Sequence, residues 1–213
     1  MVLRRQTHIR SSRACCPGTG PVLDSPSFVF QIIGASSERK GGEMLISDKM
    51  VAAINKQIGN EFGAFLQYVA IAAYFGNESL PELAKHFNQQ AMEERQHAMK
   101  FVNYVLDAGG LPEIPAIPAP KSRFSSAEEA VKLSLDWEIT VTKQINDLVD
   151  LAGKENDHTS HTFLQWFVNE QLEEVSSMDM LVKMVKRAGT NLLFVEDYLA
   201  RRGTRPAAAA EAT

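Results

Sequence analysis

Residues 93–97 read Glu93-Glu94-Arg95-Gln96-His97 and lie inside a stretch of helical periodicity from Leu83 to Leu106. Residues three apart on a helix share a face, so Glu94 and His97 project together. Alone, such a pair describes a solvated helix edge as well as it describes two ligands. Its meaning comes from the residues seven positions away. Phe87 and Phe101 share the face of Glu94, because seven residues make nearly two helical turns. A carboxylate therefore stands where the apolar stripe calls for a core side chain.

The same interruption recurs in three other segments. One stripe reads Ile54, Glu61, Tyr68, another Val131, Glu138, Ile145, and a third Phe167, Glu174, Leu181, with Gln171 one turn before Glu174. Four buried carboxylates without a cation would cost several kcal/mol each. They must be protonated, pair with bases or hold metal, and no Lys or Arg lies on these stripes near the acids. A divalent cation resolves the conflict. Oxygen-rich ligation with one imidazole suits iron or manganese and also takes zinc. Carboxylates from two helices, with E-x-x-H-type pairs from the others, form a di-iron site inside a four-helix bundle.

The rest of the chain agrees with that architecture. A first helix is expected from Ser47, a plausible N-cap, to about Phe75. A second opens at a capping box, Ser79-Leu80-Pro81-Glu82, and ends at Gly109-Gly110. Residues 109–124 contain Pro112, Pro115, Pro118 and Pro120, which favour a stiff, extended path. Extended, that segment reaches roughly 50 Å, whereas a helix of about 28 residues is only about 42 Å long. The linker can therefore run the length of a bundle and make the second and third helices parallel. The third helix opens with Ser126-Ala127-Glu128-Glu129 and runs to Gly153. The fourth runs from about His158 to Ala188 and stops at Gly189, and a short fifth runs from Asn191 to about Arg202. The expected fold class is all-α: a four-helix bundle with a long crossover between its second and third helices and a short fifth helix.

The totals exclude several alternatives. The chain has 213 residues, 45% of them apolar, and a net charge of −4. That balance argues against nucleic acid as a main partner. No apolar run approaches the roughly 20 residues that span a bilayer. The two cysteines, Cys15 and Cys16, are adjacent, so a disulfide framework is not expected and a reducing cytoplasm fits. Residues 1–43 are rich in Ser, Gly, Pro and Arg and carry six basic against three acidic side chains, so the remainder is net −7. They read as a disordered extension, or as sequence upstream of a true start at Met44. A targeting peptide is the other reading, built on Arg4-Arg5, the apolar Phe28-Val29-Phe30 and Ile32-Ile33 interrupted by Gln31, and Gly34-Ala35-Ser36. Residues 44–203 form the expected domain, and 204–213 a disordered tail.

The chain resembles a ferritin, of the haem-free bacterial type found in actinobacteria. The likeness covers about residues 44–202 and rests on Glu61 with Tyr68, Glu93-Glu94-x-x-His97, the isolated Glu138, and Glu170-Gln171-x-Glu173-Glu174. The resemblance implies a ferroxidase centre in which Glu61, Glu94 and His97 hold one iron. Glu94 would bridge to a second iron held by Glu138 and Glu174, with Gln171 beside it and Tyr68 near enough to bond a ligand or supply an electron. Glu93, Glu170 and Glu173 resemble a third iron site, on the cavity side. Trp166 stands near the centre in this family and reads equally well as a core aromatic. Two departures from bacterioferritin argue against haem: Glu174 replaces a histidine, and Arg95 stands where the haem-ligating methionine would be. Met92 and Met99 do not match that position and read as core or flank residues.

The implied function is iron storage. Fe(II) is oxidised by O2 at a di-iron centre and kept as ferric mineral inside a hollow homo-oligomeric shell of 24 subunits. A di-iron oxygenase or peroxidase-like enzyme on the same bundle is a competing reading, and a metal-free helical module a third. The short fifth helix and the acids Glu93, Glu170 and Glu173 argue against the enzyme. His86, His158 and His161 read as residues of solvated or subunit surfaces.

Overall fold

The computed structural model describes residues 44–202; the expectations for residues 1–43 and for the tail lie outside them. Five helices follow in order: α1 (Asp48–Asn77), α2 (Pro81–Asp107), α3 (Ala127–Glu155), α4 (His158–Ala188) and α5 (Leu193–Arg202). Among the described residues there is no strand, and no helix is long and apolar enough to cross a membrane.

The crossover can be followed along α1. Asn55 Nδ2 donates to Leu111 O at 3.2 Å and Glu113 N donates to Asn55 Oδ1 at 3.0 Å. Three turns on, Gln67 Nε2 donates to Lys121 O and Lys121 N donates back to Gln67 Oε1, both at 2.9 Å. Between these two clasps the backbone of Gly59 makes room for Pro115: a Cβ on Gly59 would lie 2.3 Å from Pro115 Cγ. The linker thus ascends α1 from its first turns towards its end, where Phe124 meets Tyr74 edge-on. Because α2 ends beside the start of α1, with Leu45 N bonded to Ala108 O, α2 and α3 run in the same direction.

The four long helices enclose two apolar layers with a polar layer between them. One apolar layer gathers Ile54, Ile58, Phe101, Val105, Ile145, Leu148 and Phe167. The other gathers Tyr68, Phe75, Phe87, Val131, Met178 and Leu181. Glu61, Glu94, Glu138 and Glu174 fall between them on their four helices, each buried.

Several helix ends differ in detail from the sequence expectation. Ser79 does not cap α2; it takes a left-handed backbone with φ 59°, and Leu80 is the N-cap with no side-chain bond of its own. Leu80 spends its side chain on packing, and a carboxylate from α5 supplies the cap. Glu196 accepts from Glu82 N at 2.9 Å and from Leu83 N at 2.8 Å. An anion at a helix N-terminus bonds free N–H groups and meets the positive end of the dipole. Second, Ser126 does cap α3 through Glu129 N, but Glu129 does not return the bond to Ser126; its carboxylate bonds Ser125 N and Oγ, and Lys121. Third, α3 passes Gly153 and stops at Asn156, φ 55°, a left-handed position that Asn tolerates. Gly189 ends α4 as expected.

The fifth helix begins at Leu193, two residues later than expected. Val195 is buried, whereas Leu193 and Phe194 are each 71% exposed. Val195 and Leu199 pack on the core, and Glu196 adds a polar tie to α2. Replacement Glu196→Ala is expected to cost about 1–2 kcal/mol, the usual cost of a lost cap, and to increase amide exchange first in α5 and the opening turn of α2. Hydrogen exchange read by mass spectrometry checks this; protection unchanged in both segments would contradict it.

Candidate metal centre

The site is a cross-section of the bundle. Glu61 comes from α1, Glu94 and His97 from α2, Glu138 from α3, Gln171 and Glu174 from α4, all buried. Each of the four acids sits at the middle of a stripe whose flanking members are themselves buried, so packing above and below holds the polar layer at one depth.

Hydrogen bonds aim the carboxylates. Gln57 Nε2 donates to Glu61 Oε1 at 2.8 Å, and Asn60 Nδ2 donates to Gln57 Oε1 at 3.0 Å, which fixes the Gln57 amide. Glu61 Oε2, though buried, has no hydrogen-bond partner. Tyr68 donates its hydroxyl to Glu138 Oε1. Gln171 Nε2 donates to Glu138 Oε2 at 3.3 Å and to Glu174 Oε2. His97 Nδ1 stands 3.6 Å from Glu94 Oε2 and 3.8 Å from Glu174 Oε1. No Lys or Arg among the described residues forms an ion pair with these four acids.

Without a cation, protons must balance the site. Burial pushes Glu61 up to about 7, against the hydrogen bonds of Gln57 and Glu94. Glu94 is raised well above the carboxylate range by burial, then by the charges of Glu174, Glu138 and Glu61. Burial also raises Glu174, followed by Glu138, Glu61, Glu170 and Glu93. Glu138 is raised by burial despite the bonds from Tyr68, Gln171 and Glu174. His97 moves the other way, to about 4, through burial and then the Lys100 charge. A neutral imidazole beside four acids whose protons a divalent cation could replace is a group of side chains that could hold metal.

The ligand atoms form overlapping groups. Glu61, Glu94 and His97 offer atoms within 4.8 Å of one another, as do Glu94, Glu138 and Glu174. Glu94 is common to both. A third group joins His97, Glu174 and half-buried Glu170. Glu93 and Glu173 join none of these; Glu93 is half-buried and accepts from Gln90, and Glu173 is exposed. Met92, Arg95 and Met99 are all exposed, so the two methionines are flank residues. Trp166 meets the His97 ring edge-on at 5.4 Å and is partly exposed.

Gln57, Thr142 and Ser134 belong to the site although the sequence reading passed over them. Thr142 Oγ1 lies 2.8 Å from both Gln171 Oε1 and the backbone Glu138 O, and with its one hydrogen on Gln171 Oε1 it turns the Gln171 amide nitrogen towards the acids. Ser134 O lies 3.4 Å from the Tyr68 hydroxyl. Gln57 and Thr142 each stand four residues from a ligand on the same helix face, and that spacing was the available signal. Removing the Thr142 hydroxyl frees the amide to flip. Thr142→Val is expected to weaken divalent-metal binding on the Glu138–Glu174 side by about tenfold, the lower end for a lost outer partner. Calorimetric titration with Fe(II) in the absence of oxygen measures it; affinity equal to wild type would contradict the assignment.

Comparison with known proteins agrees with this geometry. Residues 51–188 match the Ferritin family, described as a ferritin-like domain. The chain is 47% identical over 156 residues to Ferritin BfrB of Mycolicibacterium smegmatis, covering 73% of this chain and 86% of that protein. It is 37% identical over 163 residues to the bacterial non-heme ferritin of Staphylococcus aureus, covering 76% and 97%. Among solved structures it resembles the open pore ferritin of Archaeoglobus fulgidus, with a TM-score of 0.72 and 35% identity over 76% of this chain and all of that one.

Proposed function

We propose, from the premise that this chain belongs to the ferritin family, that it stores iron and is a ferroxidase. In this reading it oxidises Fe(II) with O2 at a di-iron centre in the cytoplasm and keeps the product as ferric mineral inside a shell of 24 copies. The observation that carries the reading is the pair of ligand groups sharing Glu94, together with the unpartnered Glu61 Oε2.

Charge accounting favours two divalent ions. Four ionised carboxylates carry four negative charges, which two Fe(II) ions cancel, so the buried layer becomes neutral without protons. His97, already neutral, adds a nitrogen ligand to the Glu61–Glu94 side. Tyr68 and Gln171 hold Glu138 and Glu174 in place while the metal displaces their protons. Hard carboxylate oxygens favour Fe(III) over Fe(II), which lowers the potential and drives oxidation. Once oxidised, the ferric ions, with the oxide or hydroxide that balances their added charge, pass on to the mineral. Glu170, beside His97 and Glu174, is the first acid on a way out, with Glu93 and Glu173 as further ligands of a third iron position.

Aerobic addition of Fe(II) to the purified protein tests the reading. The expected result is a large hollow particle on size-exclusion chromatography that takes up far more iron than its centres bind. A monomer or dimer that oxidises iron without retaining it would sink the storage reading and favour an oxygenase on the same bundle.

A further inference from the structure

Burial divides the methionines of the described residues into two sets. Met50 and Met178 are fully buried, and Met180 and Met184 are half-buried. Met44, Met92 and Met99 are 37%, 46% and 38% exposed. Methionine is among the side chains most often found inside, so the exposed pair on α2 stands out. Met92 precedes Glu94 by two residues and Met99 follows His97 by two, each about 3 Å along the helix axis. Seven residues apart, the two share one face of α2.

The rest of that face says what the sulfurs are not for. Between Met92 and Asn103 the exposed residues of α2 are Met92, Arg95, Gln96, Met99 and Asn103. None of these is a carboxylate, and the one charge is positive. The face offers iron no hard anionic ligand, and a thioether is too soft to replace one. Leucine would cover the face equally well. What sulfur adds is a lone pair that accepts an oxygen atom and turns methionine into its sulfoxide.

We propose that Met92 and Met99 are sites of oxidation by hydrogen peroxide formed at the centre, and that they consume it before it meets Fe(II) on a carboxylate. The inference rests on the di-iron ferroxidase reading. Two Fe(II) give two electrons to O2, which with two protons becomes hydrogen peroxide. The methionine sulfur attacks one peroxide oxygen and the O–O bond breaks. An S–O bond forms, and the other oxygen leaves as water, taking the proton of the transferred one. Sulfur is oxidised by two electrons and the peroxide is reduced by two, so each side chain removes one peroxide. Fe(II) would instead split the peroxide by one electron into hydroxide and a hydroxyl radical. A face without carboxylates keeps the two reactions apart.

Peptide mass spectrometry of the whole protein, after repeated small additions of Fe(II) in aerated buffer, tests this. Met44 is the comparator, because it is as exposed as Met99 but lies ahead of α1. The expected result is a sulfoxide fraction several-fold higher at Met92 and Met99 than at Met44, with Met50 and Met178 unchanged. Catalase in the surrounding solution should not remove that preference. Peroxide added to the iron-free protein should erase it, since exposure alone then decides. The double variant Met92→Leu, Met99→Leu should oxidise Fe(II) at the wild-type rate and release more peroxide per O2 consumed. Iron oxidation that leaves Met92 and Met99 intact, or oxidises Met44 equally, overturns the proposal, as does a double variant that releases no more peroxide than wild type. If wild type oxidises no Fe(II), the ferroxidase reading itself fails, and this inference with it.

Discussion

Glu94→Ala should abolish rapid oxidation of Fe(II) and leave the bundle folded. Glu94 is the one side chain common to the Glu61–His97 and Glu138–Glu174 ligand groups, so its loss takes a ligand from both. Loss of an outer partner that merely orients a ligand already costs about 10–100-fold in metal affinity or activity. Loss of a shared ligand is expected to exceed about 100-fold in the initial rate, followed by stopped-flow absorbance after Fe(II) meets aerated protein. The fold should survive because the metal-free centre is crowded with acid. Removing Glu94 takes out a carboxyl that burial and the charges of Glu174, Glu138 and Glu61 all disfavour in its ionised form, at the cost of a small cavity between Phe87 and Phe101. Circular dichroism and particle size separate this outcome from misfolding. A rate within a few-fold of wild type would show that the chemistry happens elsewhere.

The metal-free protein should lose stability as pH rises through neutrality, and metal should reverse the trend. Glu61 is raised from 4.5 to about 7, so its protonated form stabilises the fold fully below 4.5, and that contribution is lost as pH passes 7. A shift of that size corresponds to about 3 kcal/mol for one buried group. Glu94, Glu138 and Glu174 are shifted in the same direction. His97 opposes them: depressed from 6.5 to about 4, it favours the fold above 6.5 and loses that contribution as pH falls through 4. Above pH 6.5 His97 is neutral in both states and only the acids titrate, so the net slope there is downward. Divalent metal replaces those protons, so binding should release protons near pH 7 and raise the melting temperature most at and above it. Melting curves from pH 5.5 to 8.5, with and without Zn(II) as a redox-silent probe, check both halves. Stability that rises with pH in the metal-free protein would contradict the burial of these acids as a set.

Much of this architecture could be read from the chain because one rule reports on both fold and site. The seven-residue steps through Glu61, Glu94, Glu138 and Glu174 count helical turns, and the same steps bring the acids to one level. The proline-rich crossover was legible for a related reason: its length had to match a helix, and Asn55, Gly59 and Gln67 of α1 receive it in order. What escaped the reading depends on contacts distant in sequence. Ser79 carries every local mark of an N-cap, yet Glu196, 113 and 114 positions from the N–H groups it caps, takes that place. Gly153 looked like a helix stop until Asn156, three residues later, adopted the left-handed turn. Gln57 and Thr142 were missed because a polar residue one turn from an acid looks the same on a solvated flank as in a buried layer. Only the packing of Ile54, Ile58, Val141 and Ile145 around them decides which it is.

The central claim is that Glu61, Glu94, His97, Glu138 and Glu174 turn inward onto a shared pair of iron ions. Anomalous diffraction at the iron edge, from crystals loaded with Fe(II) without oxygen, examines it directly. Two peaks are expected within each bundle, one among Glu61, Glu94 and His97 and the other among Glu94, Glu138 and Glu174. Iron found only on outer carboxylates, with nothing between these five side chains, would contradict it.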